Sequence, residues 1–170
     1  DSVNKKLVAY AAEHARSLGA EVTLLDLADY PMPLYDGDLE DRDGIPAHAE
    51  TLYALMKDHQ GLLLACPEYN SSITPLLKNT IDWISRPRPG EPRLGAYQGK
   101  VATLLAASPG ALGGLRGLAA VRSILGNIGV IVLPGQHALT GAYDAFDEAG
   151  DLQNESDAKR VQAAVAALVE

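Results

Sequence analysis

Within six positions, Pro67-Glu68-Tyr69-Asn70-Ser71-Ser72 offers a carboxylate, an aromatic ring, an amide and two hydroxyls. Such a run can donate and accept hydrogen bonds while a tyrosine lies beside a planar ligand. Its setting sharpens the point. Leu62–Cys66 before it is uniformly apolar, and Thr74-Pro75 after it has the form of a helix start. A polar loop between a buried strand and a helix lies where an open parallel sheet binds its ligands. The Gly-rich turn Ser108–Gly114, again after an apolar run, is a second loop of that kind.

Other chemistries find little support. The serines have no G-x-S-x-G setting and no histidine can be tied to them, which argues against a hydrolase. His14, His48, His59 and His137 are scattered without metal-ligand spacing and are read as surface or satisfied histidines, so no metal is expected. Cys66 is the single cysteine and lies in an apolar strand, so it reads as a small buried hydrophobe in a cytoplasmic protein. Lys78 and Asp82 stand four apart on a helix, the spacing of a surface ion pair. Glu68 is read as a loop carboxylate without an acid–base role, and no catalytic side chain is assigned. The formal charge of −8 excludes a polyanion-binding surface, because only Arg86, Arg88 and Arg93 cluster. No window approaches a membrane span.

These loops need elements to hold them. A first helix from Ser2 or Val3 carries Val3, Leu7, Val8, Ala11, Ala15 and Leu18 on one face and stops at Gly19. Glu21–Leu27 reads as a strand, Asp29–Pro46 as a loop, and a helix runs from Pro46 to Gly61. The helix beginning at Thr74-Pro75 turns Leu77, Thr80, Ile81 and Ile84 inward, and Pro87–Gly99 is a loop. Val101–Ala107 is a strand buried on both faces, Leu115–Leu125 a helix closed by Gly126, and Val130–Leu133 the last parallel strand. Gly135–Asn154 has room for a hairpin turned at Gly150, and Glu155–Leu168 is the final helix.

At 170 residues this is one domain, and the alternation is that of an open α/β sheet. In the five-stranded order 2-1-3-4-5, with helices on both faces, the first strand is central. This chain opens with a helix instead. The first strand is therefore expected to precede Asp1, with Glu21–Leu27 and Leu62–Cys66 about 9–10 Å apart on either side of it. Direct pairing of those two segments would contradict the expectation.

Pro67-Glu68-Tyr69-Asn70, followed by Leu77-Lys78-Asn79, Ile81-Asp82-Trp83 and Ser85-Arg86-Pro87, resembles the NADPH-dependent FMN reductase family. Ser2 and Asn4 resemble the end of that family's phosphate loop, G-S-x-R-x-x-S-x-N. Ser108-Pro109-Gly110 with Gly113-Gly114 and Arg116 fits as well. The likeness covers most of residues 2–133. It implies a flavodoxin-like fold and a noncovalently bound FMN. It further implies hydride transfer from NAD(P)H to the flavin and onward, in a ping-pong cycle, to a small electron acceptor such as a quinone. The implied cofactor contacts are Ser2 and Asn4 at the phosphate, and Pro67, Glu68, Tyr69, Asn70, Ser71, Ser108, Pro109, Gly110 and Gly113 around the ring. A phosphate at the start of the first helix suits the free N–H groups and dipole there. Arg116 is either a nucleotide contact or a solvated helix-start residue. The family's homodimers and homotetramers make Trp83 and Arg86 either interface or local packing residues. Two other classes stay open: a flavodoxin-type electron carrier, and a non-redox binding member of the fold.

Overall fold

The computed structural model describes residues 2–170. Nine elements carry the fold: α1 (Val3–Ser17), α2 (Gly37–Asp43), α3 (Ala47–Asp58), β1 (Gly61–Ala65), α4 (Pro75–Ile84), β2 (Val101–Ala107), α5 (Leu115–Asn127), β3 (Ile131–Leu139) and α6 (Glu155–Val169). The strands form one parallel sheet in the order β1-β2-β3. Central β2 shows why its sequence is apolar at every position but Thr103. Side chains alternate along a strand, so Ala102, Leu104 and Ala106 enter one core while Leu105 and Ala107 enter the other. The first core packs beneath α3, α4 and α5, and the second beneath α1 and α6. The one polar residue of β2, Thr103, is fully buried and donates its hydroxyl to Ala164 O of α6 at 3.1 Å.

Three expectations are corrected. The described residues contain three strands, not four of an expected five, because Glu21–Leu27 forms no ladder. It has no strand beside it to pair with, and it does not pair with β1. Side chains hold it instead: Arg16 of α1 donates to Val22 O at 3.1 Å, Lys5 pairs with Asp26, and Thr23 lies 2.9 Å from His59 Nε2. The segment ends in a 3₁₀ turn, Leu27–Asp29, where Asp26 accepts the Ala28 N–H at 3.0 Å.

Second, the loop 29–46 contains α2. Asp36 caps it by accepting the N–H of Asp38 and Leu39, and Asp38 and Glu40 sit in its first turn, where the helix dipole favours carboxylates. Third, β3 continues six residues past Leu133. Ala102 pairs with Val132 but Leu104 with Gln136, so β3 bulges over Leu133–Gly135. Pro134 has no N–H for a ladder and is absorbed by the bulge.

The hairpin at Gly150 is present as a bridge between Phe146 and Leu152, with Gly150 at φ +91°. Helix α4 starts as its sequence specifies, with Thr74 Oγ1 accepting the Leu77 N–H at 3.3 Å and Pro75 in the first turn. Trp83 is a packing residue. Its side chain is fully buried, it meets the Tyr35 ring edge-on at 4.9 Å, and its Nε1–H donates to Pro33 O at 2.8 Å. Asn79, one turn earlier, donates to the same carbonyl at 2.9 Å and accepts the Tyr35 N–H at 2.8 Å. Arg86 completes this face by pairing with Glu40 at 2.7 Å. The helix thus clamps the strap 33–40. His137 also departs from expectation. It is buried on β3, with Nε2 3.0 Å from Asp157 Oδ1 but off the line of a hydrogen bond.

Candidate functional site

All three strands run in one direction, so the loops leaving them, and the start of α1, meet at one end of the sheet. Cys66 extends the β1 ladder by donating its N–H to Leu105 O at 2.8 Å, and the polar run begins at the next residue. Tyr69 and Ser72 then exchange two backbone hydrogen bonds, of 3.1 and 3.0 Å. Between them Asn70 and Ser71 stand at φ +50° and +67°, the type I′ pattern. Left-handed backbone costs a non-glycine residue roughly 1–2 kcal/mol, so the turn is held under strain. Its closing bonds use the N–H of Tyr69 and Ser72. Those of Asn70 and Ser71 have no protein partner among the described residues, and the Tyr69 ring is exposed.

The second loop is pinned at both ends. Ser108 donates its N–H to Leu139 O at 3.0 Å and accepts the Ala142 N–H at 3.2 Å, which ties it to the loop after β3. The Ser108 hydroxyl accepts the Gly110 N–H at 3.2 Å. At Gly113 (φ +60°) a Cβ would stand 2.6 Å from both C and O of Ala138. At Gly114 (φ +95°) it would stand 2.7 Å from Ala106 Cβ. No side chain fits at either position. The loop lies directly against β2 and β3.

Two buried polar side chains fasten these parts. Asn4, in the first turn of α1, donates Nδ2 to Ala107 O and accepts the Ala107 N–H with Oδ1, both at 2.8 Å. It therefore joins the start of α1 to the residue before Ser108, and its side-chain amide has no unengaged heavy atom. Its own N–H remains among the helix-start donors that lack a helical partner. Ser2 is the N-cap of α1, exposed, and its hydroxyl makes no capping bond. No acidic residue stands in that first turn, which suits an anion at the helix start.

Glu68 is the second fastener. Oε2 accepts the Gly117 N–H at 2.9 Å, and Oε1 takes Arg116 Nε and Nη2 at 3.0 and 2.7 Å. The Gly117 N–H, seconded by Arg116, holds this carboxyl below the usual carboxylate range against the opposing effect of burial. Arg116 is thus neither free nor merely solvated. Cys66 lies beneath, 1% exposed, and burial pushes its thiol up to about 12.

The residues singled out from sequence thus reach one end of the sheet. Pro67–Ser71 and Ser108–Gly113 are joined through Glu68 and α5, and Asn4 through Ala107. Missing from the sequence reading were Gly117, whose tight packing against Glu68 carries that joint, and the loop after β3, to which Ser108 is tied through Ala142. An open cleft of about 530 Å³ between Ser85–Pro87, Arg93, Leu94, Asn127 and Ile128 lies at the C-terminal ends of α4 and α5 and belongs to the other end of the sheet. No group of His, Cys, Asp and Glu among the described residues could hold a metal ion.

A covered parallel sheet with strand-end loops and an open helix start defines an α/β domain of the cofactor-binding class. The family model for NADPH-dependent FMN reductases matches residues 1–144, and the chain belongs to that family. A quinone reductase of Escherichia coli K12 is 38% identical over 94 residues, covering 55% of this chain and 47% of its own length. An NAD(P)H-dependent FMN reductase of Pseudomonas aeruginosa is 35% identical over 144 residues, covering 77% and 75%. The chain thus spans about half the length of some curated relatives it matches, and three quarters of another. Among solved structures, the flavoenzyme NAD(P)H:acceptor oxidoreductase FerB of Paracoccus denitrificans superposes with a TM-score of 0.84 at 28% identity, over 99% of this chain and 88% of its own. An FMN-dependent NADH-azoreductase of Bacillus anthracis, solved with FMN, shares the fold at a TM-score of 0.66 and 17% identity, over 99% and 92%.

Proposed function

We propose that this protein is an FMN-dependent oxidoreductase that takes electrons from NAD(P)H and delivers them to a small acceptor such as a quinone. The observation that carries the reading is the convergence, at one sheet end, of three sets of donors. These are the Asn70 and Ser71 N–H groups, the Ser108–Gly113 loop, and the open start of α1. A planar ring bearing a phosphate tail has complementary needs, so the residues present fit FMN. Ser2 and the first-turn N–H groups of α1 would hold the phosphate. Pro67, the Asn70-Ser71 turn and Ser108–Gly110 would border the ring, with Tyr69 as a flanking aromatic worth about 0.5–1.5 kcal/mol if stacked. Asn4, its side chain spent on Ala107, would serve by holding the two ends of the site together.

FMN, when bound, would supply the redox chemistry between NAD(P)H and a small acceptor, and a ping-pong order is part of this reading. The protein's share is orientation and exclusion of water, so no acid–base dyad is required. Family membership and the resemblance of the 67–87 block to the reductases favour an enzyme over a carrier. The purified protein should be yellow, with absorbance near ~450 nm, and should oxidise NADPH when a quinone is added without any partner protein. A colourless protein that binds no added FMN would refute the reading. A yellow one that needs a protein partner for turnover would make it a carrier.

The reading also includes the five-stranded order 2-1-3-4-5. Its support is the edge of β1 that faces away from β2 and the unpaired state of Glu21–Asp26 among the described residues, both of which a parallel strand between them would satisfy. A homodimer or homotetramer in the cytoplasm is part of the same reading and rests on the family resemblance. Light scattering on the purified protein reads the mass directly.

A further inference from the structure

Helix α5 meets the β1-end turn through a joint of unusual closeness. At Gly117 a Cβ would stand 3.2 Å from Glu68 Cβ, 3.3 Å from Ser72 O and 3.4 Å from Glu68 Cα. At Gly114 it would stand 3.8 Å from Glu68 Cβ and 3.9 Å from Cys66 O. The helix backbone therefore lies directly on the loop backbone, with no side chain between. Glu68 spans the contact. One carboxylate oxygen takes the Gly117 N–H at 2.9 Å, a donor in the first turn that has no helical partner. The other takes Arg116 at 2.7 Å. The Glu68 side chain is only 10% exposed, while Arg116 is 57% exposed. Both of its oxygens face α5, and none of its described hydrogen bonds goes to the Asn70-Ser71 turn it precedes.

We propose that Glu68 is a positioning residue and not a cofactor contact. By clasping Gly117 and Arg116 it sets the distance between the two loops that border the ligand, 67–72 and 108–114. The inference rests on the FMN reading for its ligand. Its physical basis stands without one. The strained Asn70-Ser71 turn is an unfavourable conformation that the surroundings must enforce, and Glu68 is the neighbouring residue with bonds to a second element. Removing the clasp frees the turn to relax, and a shift of about 1 Å in a binding loop can cost on the order of a hundredfold in function.

The test uses Glu68→Ala and Glu68→Gln, with Gly117→Ala as an independent disturbance of the same contact. Glutamine keeps an acceptor for the Gly117 N–H and loses only the charge toward Arg116, so it should fold and show the smaller effect. In protein stripped of FMN, hydrogen exchange at the Gly117 amide and at residues 69–72 should accelerate in Glu68→Ala and less in Glu68→Gln. Titration with FMN should then show affinity weakened about tenfold or more in Glu68→Ala, and by less in Glu68→Gln. The visible band of bound flavin should shift, which a change in global stability alone would not cause. Unchanged exchange at Gly117 and residues 69–72, or unchanged FMN affinity and spectrum in both Glu68 variants, would overturn the inference. If the parent protein itself binds no FMN, the functional reading fails while the exchange experiment still decides the clasp.

Discussion

Glu68 and Cys66 stand two residues apart, and their surroundings move them in opposite directions. Glu68 is held low by the Gly117 N–H and by Arg116, so the folded protein keeps it ionised more readily than the unfolded chain does. A depressed folded value means the stabilisation is present above the unfolded carboxylate range, near ~4.3, and is lost as pH falls through the folded value. The melting temperatures of the parent and Glu68→Gln should therefore differ most near neutral pH and converge as pH falls through the depressed folded value. A constant gap down to the lowest measurable pH would contradict the ion pair as the source. Cys66 has no partner and is sealed under the loop, with its thiol pushed up to about 12. At pH 8 essentially none is thiolate, and thiolate is the reactive form. An aromatic disulfide reagent should leave the native protein unlabelled and modify one thiol after urea is added. Labelling within the mixing time would show the thiol to be accessible.

At the scale of elements, the loops are placed by what cannot be inserted between them and the sheet. Gly113 meets the Ala138 carbonyl group, which is backbone and cannot swing aside. Gly113→Ala should therefore cost about 2 kcal/mol or more in urea denaturation, from the clash added to the positive φ. Gly90 provides the contrast, since it also has positive φ (+78°) but open space around its missing Cβ. Gly90→Ala should cost only the backbone strain, about 1 kcal/mol. Equal costs for the two would mean that the close approach to β3 carries no energy. Helix α4 is placed differently, by Asn79, Trp83 and Arg86 reaching one strap from successive turns. These residue types make the 67–87 block distinctive, and their roles here are structural.

For the molecule as a whole, the sheet is covered on both faces and its centre carries the stability. Leu104 is fully buried in the core under α3, α4 and α5, and Leu104→Ala should destabilise by about 2–5 kcal/mol in chemical denaturation. Ile131 begins β3 but is 59% exposed, and Ile131→Ala should fall within about 0.5 kcal/mol of the parent. A similar loss at both sites would point to a sheet less buried than these contacts imply. The covered sheet was legible in the sequence because a run of strand length that is apolar at all but one position, such as Val101–Ala107, must keep both of its faces from water. Helix α4 was legible through its cap, its proline and its inward stripe. Glu21–Leu27 forms no ladder among the described residues because strand propensity is local while a strand needs a neighbour. Helix α2 hid within a polar stretch too short for a periodic pattern, although Asp36 and the acidic first turn marked its start.

Local pattern was enough to determine the alternation of strands and helices from β1 onward, the two polar loops at strand ends, and the inventory of groups that could meet a ligand. It could not say which of those groups were still available. Asn4 is spent on Ala107, 103 residues away, and Glu68 on Gly117, 49 residues away. That the Asn70 and Ser71 N–H groups remain open followed only from the tertiary structure. The physical reason is that a polar side chain satisfies itself with whatever the fold brings within about 3 Å, and spacing along the chain carries no record of that neighbour.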